Sequence, residues 1–154
     1  MHRKSVETSV NQNRDDVEMK TKEHVFYDGD CGVCHWAVSF VARHDPEGRT
    51  FRFAPLGGPT FVESVDEEKR QNLPDSMLVH TTDGRLLMRT SGVVHILRRL
   101  GGLWALPAAM LWVIPRPLRN WGYDVFALYR KRWVAKPEGV CPLLPPELRG
   151  RFDP

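Results

Sequence analysis

Cysteine is scarce in this chain. Three in 154 residues are too few for the disulfide framework that holds many small secreted domains together. The first 23 residues have no apolar run, which argues against a secretory signal peptide. They also lack aromatics and balance five basic against five acidic side chains, so residues 1–23 read as a flexible tail. The apolar stretch Leu103–Ile114, interrupted by Pro107, is short of the roughly 20 residues that span a bilayer. No second paired-ligand motif is present to complete a zinc site from His24, His35, His44, His80, His95 or Cys141. Acidic side chains are nearly missing from residues 85–136, which hold ten basic residues and one acid, Asp124. Residues 24–84 hold five basic and ten acidic residues, so the net charge of +3 conceals a strong asymmetry. Solvated helix faces account for the basic half most simply. An acidic partner or a peripheral contact with an anionic membrane is the alternative. No nucleic-acid motif accompanies the charge, so nucleic acid is not an expected partner.

Apolar residues make up 42% of the chain, enough for one domain with a real core. His24–Tyr27 reads as a short buried strand. Val33, Ala37, Phe40 and Val41 recur at helical spacing and predict a helix over 32–44. Thr50–Ala54 alternates as a strand does, residues 60–71 suggest a weak surface helix, and Thr82-Asp83-Gly84 predicts a hairpin between Ser76–Thr81 and Arg85–Arg89. Ser91 is the expected N-cap of a helix over Gly92–Leu100. The order is β-α-β-α-β-β-α, an α/β domain whose mixed four-stranded sheet has its first two strands parallel and its last two antiparallel. Beyond this core, residues 24–102, comes a C-terminal helical extension over 103–136. Its long helix places Trp121, Val125, Leu128, Tyr129 and Trp133 on one face, with Trp121, Val125 and Leu128 expected inward. Residues 137–154 form a proline-rich tail.

The densest chemistry lies in Cys31-Gly32-Val33-Cys34, after the apolar Val25-Phe26-Tyr27 and the turn Asp28-Gly29-Asp30. Two thiols two residues apart at a helix start can close into a disulfide and reopen. The unpaired N–H groups there favour a thiolate on Cys31, the nucleophile, which is also expected to be the better exposed; Cys34, one turn in, resolves. No cofactor is required, since electrons come from and go to other thiols, and a cycling dithiol suits a reducing, cytoplasmic compartment. Competing readings remain. Cys34-His35 completes a C-x-x-C-H haem-attachment string, which would need export. Asp28 and Asp30 share the D-x-D spacing of haloacid-dehalogenase-type phosphatases, but Cys31-Gly32 stands where Gly-Thr would follow and no convincing late Lys or metal-binding Asp pair appears. Turn formation and capping explain the two aspartates equally well. A non-enzymatic docking domain built on the basic, tryptophan-rich helices is a third class. Cys141 is most simply a free thiol.

Tyr27-Asp28-Gly29-Asp30-Cys31-Gly32-Val33-Cys34 resembles the D-x-x-C-x-x-C signature of the DCC family. Phe53-Ala54-Pro55-Leu56, Asp75-Ser76-Met77, Arg89-Thr90-Ser91 and Tyr123…Ala127…Tyr129-Arg130 look like family landmarks in the same order, so the likeness covers about residues 24–141. The resemblance implies a thioredoxin-like fold and thiol-disulfide oxidoreductase activity on a thiol- or disulfide-bearing protein or a low-molecular-weight thiol. Such folds set a cis-proline against the cysteine pair just before the third strand. Pro74 lies near that place, followed by Asp75 and Ser76, so these three join Tyr27, Asp28 and Asp30 as expected neighbours of the cysteines.

Overall fold

The computed structural model describes residues 21–73, 76–133 and 146–154. Strand β1 (Glu23–Tyr27) is buried along its whole length because it is an inner strand of the sheet. It pairs in parallel with β2 (Phe51–Pro55), Val25 opposite Phe53, and antiparallel with β3 (Leu78–His80), Val25 opposite Val79. Strand β4 (Leu86–Met88) closes the sheet antiparallel to β3, giving the order β2-β1-β3-β4. The parallel pair is joined through helix α1 (Gly32–His44), the crossover such pairing requires. The antiparallel pair turns at Gly84, whose φ of +78° suits glycine.

Side-chain alternation along β1 divides the core. Val25 and Tyr27 face α1 and α4 (Arg89–Leu100), packing with Val38, Val41, Phe51, Phe53, Val79 and Ile96. Phe26 faces the other way, among Ala54, Phe61, Val65 and Leu78. Helix α2 (Pro59–Ser64) supplies Phe61 to that second cluster, and α3 (Glu67–Arg70) follows it. The architecture is the α/β, thioredoxin-like mixed sheet anticipated from the sequence.

Local departures have identifiable causes. The single helix expected over 60–71 is broken at Val65, which turns extended and buries its side chain. Glu23, assigned from sequence to the tail, is the first residue of β1. Its buried carboxylate meets His95 at 2.7 Å and Arg99 at 3.2 Å on α4. Ser91 is not an N-cap: β4 runs straight into α4, with Met88 at the cap position and Arg89 making the corner at φ +53°. Pro107 starts a helix instead of interrupting one. It is the third residue of α5 (Ala105–Val113), where a missing N–H leaves no intrahelical bond unmade.

Helix α6 (Arg116–Trp133) packs on α1 and α4. Its inward face differs from the expected one. Trp121 and Leu128 point to solvent, while Arg119 and Arg130 are buried. The arginines can turn inward because acceptors lie beneath them: the Leu111 carbonyl 3.3 Å from Arg119 and the Cys34 sulfur 3.1 Å from Arg130. No helix among the described residues is long and apolar enough to cross a membrane.

The far C-terminal segment, assigned wholly to a tail, is part of the fold where it is described. Phe152 bridges to Phe53 on the outer edge of β2 and stacks on its ring. Asp153 pairs with Arg52. Arg151 donates to the Ala42 and Asp45 carbonyls, placing a cation at the C-terminus of α1. Cys141, Pro74 and Asp75 lie outside the described residues.

Candidate active site

The site is built by a short stretch of chain. Where β1 ends, the Asp28 side chain accepts the Asp30 N–H at 2.9 Å and the Asp28 carbonyl accepts the Cys31 N–H at 3.2 Å. This turn aims the chain into α1 with Cys31 at its N-cap. A cap residue normally offers an oxygen to an unpaired N–H of the first turn. Here the Cys31 sulfur does so, accepting the Cys34 backbone N–H at 3.3 Å. The Cys31 Sγ therefore sits in the positive end of the helix dipole.

His35 secures the turn from the far side. Its Nε2 donates to the Gly29 carbonyl at 2.9 Å, and its ring meets Tyr27 edge-to-face at 5.2 Å. That bond makes structural sense of the histidine in C-x-x-C-H: it clamps the loop that presents the cysteines. Among the described residues, no group of three or more His, Cys, Asp or Glu side chains is placed to hold a metal ion.

Both thiols are free and buried, Cys31 at 1% exposure and Cys34 at 4%. The greater exposure expected of Cys31 is not found. The turn and α1 fold the sulfur back over the first helical turn, in a cluster with Val25, Tyr27, Val38 and Phe53 against which Met77 packs. The Cys34 thiol is pushed up to about 12, first by burial and then by its hydrogen bond to Cys31. Two groups oppose that rise: the Arg130 guanidinium and the Asp28 backbone. Cys34 is thus a neutral thiol at physiological pH, with a buried cation already on its sulfur.

Tyr123 completes the far wall. Burial raises its phenol, which bonds to the Met77 backbone and lies within electrostatic reach of Arg130, Cys34 and Cys31. Tyr123 and Arg130 are seven residues apart on α6, two turns along one face. Sequence reasoning placed neither at the site. Arg130 opens the run Arg130-Lys131-Arg132, whose composition on its own points only to cations suited to a helix C-terminus. The spacing Tyr123…Arg130 among the landmark residues was the available signal.

The other expected neighbours fall as follows. Tyr27 is buried beside Cys31 in the same cluster, Asp28 is half-buried in the turn, and Asp30 is exposed. Ser76 is buried at 1% exposure, and its hydroxyl has no hydrogen-bond partner among the described residues. It precedes Met77, which touches the site, but it makes no hydrogen bond to either thiol.

The chain is 29% identical over 133 residues to a Bacillus subtilis (strain 168) protein named "Uncharacterized protein YuxK", covering 84% of this chain and 93% of that one. No solved structure matches it. The model of the DCC1-like thiol-disulfide oxidoreductases matches residues 25–136, a span that runs from β1 through the cysteine turn to the whole of α6, and the chain belongs to that family.

Proposed function

We propose that the protein carries out thiol–disulfide exchange, with Cys31 as nucleophile and Cys34 as resolving thiol. The Cys31 thiolate attacks one sulfur of a substrate disulfide. That S–S bond breaks, a mixed disulfide forms, and the first substrate sulfur leaves as a thiolate that takes up a proton. Cys34 loses its proton and attacks the Cys31 sulfur, releasing the second substrate thiol and leaving a Cys31–Cys34 disulfide. Two electrons have passed to the substrate. A low-molecular-weight thiol or a protein dithiol restores the starting state, as a reducing compartment such as the cytoplasm would supply. The reverse sequence oxidises a dithiol.

The observation that carries this reading is the position of the Cys31 sulfur in the cap of α1, on the Cys34 backbone N–H. Arg130 supports the division of labour. A thiol held at about 12 is a poor nucleophile, and a guanidinium on its sulfur stabilises the anion that resolution requires. Tyr27, Asp28 and Asp30 then shape the presenting loop, and the buried Ser76 directly precedes Met77, which packs on the cysteine cluster. One Asp28 oxygen is engaged by the Asp30 N–H, the turn-forming role that competes with a phosphatase nucleophile.

The test is equilibration of the purified protein in defined thiol/disulfide mixtures, followed by alkylation and mass analysis. A single two-electron transition linking Cys31 to Cys34 is expected, lost in Cys31→Ser and in Cys34→Ser. A protein in which this disulfide never forms, at any poise, is not a dithiol exchanger.

A further inference from the structure

Between α4 and the corner joining α5 to α6 lies a cavity of about 560 Å³. Five arginines line it, Arg85, Arg98, Arg99, Arg116 and Arg119, together with Trp112, and no Asp or Glu among the described residues does. Two of the five have carboxylates to lean on, Arg85 with Asp83 and Arg99 with Glu23. Arg98 and Arg116 have no ion pair among the described residues. Arg119 is 8% exposed, gives one N–H to the Leu111 carbonyl, and keeps a buried Nε with no partner. Burying a cation without an anion is costly, and so is leaving one of its donors unpaired. The cavity has the chemistry of a phosphate-type anion site.

The surface beside it is apolar. Leu106, Met110, Trp112 and Val113 of α5, with Leu118 and Trp121 of α6, are 59% to 76% exposed. Trp112 belongs to both the cavity wall and this face. We infer that the cavity and the face together form a docking surface for an anionic lipid membrane, the arginines taking phosphate headgroups while α5 lies in the interface. Two features select lipid over other occupants. A two-fold dimer through this face would set one strongly basic region against its copy, since residues 85–136 carry ten basic side chains and one acid. A protein partner would be met by a rim of hydrogen-bonding groups, whereas from Leu103 to Ile114 the tryptophan indoles are the sole side-chain donors and acceptors. Tryptophan beside arginine is the composition of the headgroup boundary. The helices lie on the membrane and do not cross it, since neither is both long and apolar enough to do so.

The experiment uses the full chain and vesicles of phosphatidylcholine alone or mixed with phosphatidylglycerol, read by flotation. Binding is expected on the mixed vesicles, weakening with salt. Exchanging Arg98 and Arg116 together for Gln, both exposed, should lower partitioning on the order of thirtyfold. Met110→Asp, with all arginines in place, should also reduce it. The inference is overturned if the protein stays with neither vesicle, or if the double glutamine variant binds as well as wild type. It is also overturned if sedimentation shows a dimer that Met110→Asp disperses. Saturable binding of glycerol 3-phosphate with no flotation would assign the cavity to a free phosphate compound instead.

Discussion

The segment from β1 to α4 and the segment from α5 to α6 are both rich in apolar residues, and they use them in opposite ways. In the first, Phe26, Phe51, Phe53, Leu78 and Val79 are fully buried. In the second, Leu106, Met110, Trp112, Trp121 and Leu128 are largely exposed, while two arginines are packed inside. Strands of a covered sheet have no choice about burial. A helix laid on the outside can present either face, and its orientation follows whichever side chains find partners beneath. For α6 those were Arg119 and Arg130, with a carbonyl and a sulfur below them. A hydrophobic stripe therefore reports the core only when nothing polar competes for the buried side.

The contrast can be put under load. Phe26→Ala, in the core, should cost about 3–5 kcal/mol. Trp121→Ala, 66% exposed, should change stability by no more than about 0.5 kcal/mol, the range of an ordinary surface substitution. Urea titrations of the two variants measure this. A large loss at Trp121 would mean that α6 buries its tryptophan after all.

The second test bears on the inward arginine. Arg130→Met preserves much of the volume and removes the charge-assisted bond to Cys34, worth about 1.5–3 kcal/mol to the anion. Release of the second thiol from a preformed Cys31 mixed disulfide should slow on the order of 10- to 100-fold, with formation of that mixed disulfide much less affected. Stopped-flow with a chromogenic disulfide separates the two phases. Equal slowing of both would make Arg130 a general packing residue. Because burial, the largest cause, raises the Cys34 thiol above its ordinary range, wild-type resolution should also keep accelerating as pH rises above neutral.

A smaller effect tests the sheet end of the comparison. Asp45 is buried and accepts the backbone N–H groups of Thr50 and Phe51, so Asp45→Ala should cost about 1–3 kcal/mol through the unsatisfied donors. Thermal melts with and without the substitution provide the measurement.

The mildest prediction concerns pH. Burial, the largest cause, holds the His24 imidazole below its ordinary 6.5, against the pull of Asp153. The unfolded chain thus binds this proton more readily than the folded one. His24 should subtract stability as pH falls through about 6.5, and nothing above it. His80, lowered chiefly by burial, acts in the same direction. Denaturant midpoints at pH 7.5 and 5.5 should differ less in His24→Gln than in wild type.

What could be read from the sequence follows how local each feature is. The strand, the Asp28-Gly29-Asp30 turn and the helix start at Cys31 all settle within eight residues, by bonds between near neighbours, and were legible together. Gly84 announced the hairpin for the same reason. The start of α4 was missed because Arg89 adopts a positive φ that nothing in its side chain advertises. The burial of Cys31 could not be seen, since a cap position suggests access and the covering residues come from elsewhere. Arg130, Tyr123 and the docking of Phe152 and Asp153 depend on contacts across most of the chain. Phe152 carries no periodicity of its own to betray that it meets Phe53.

The contact between Arg130 and Cys34 spans 96 positions, whereas the bonds that shape the cysteine turn span no more than six. Short loops close far sooner than long ones. The pair is thus assembled locally and tuned remotely: a change that loosens α6 from α1 would alter the surroundings of the inner sulfur without touching the turn that presents both thiols.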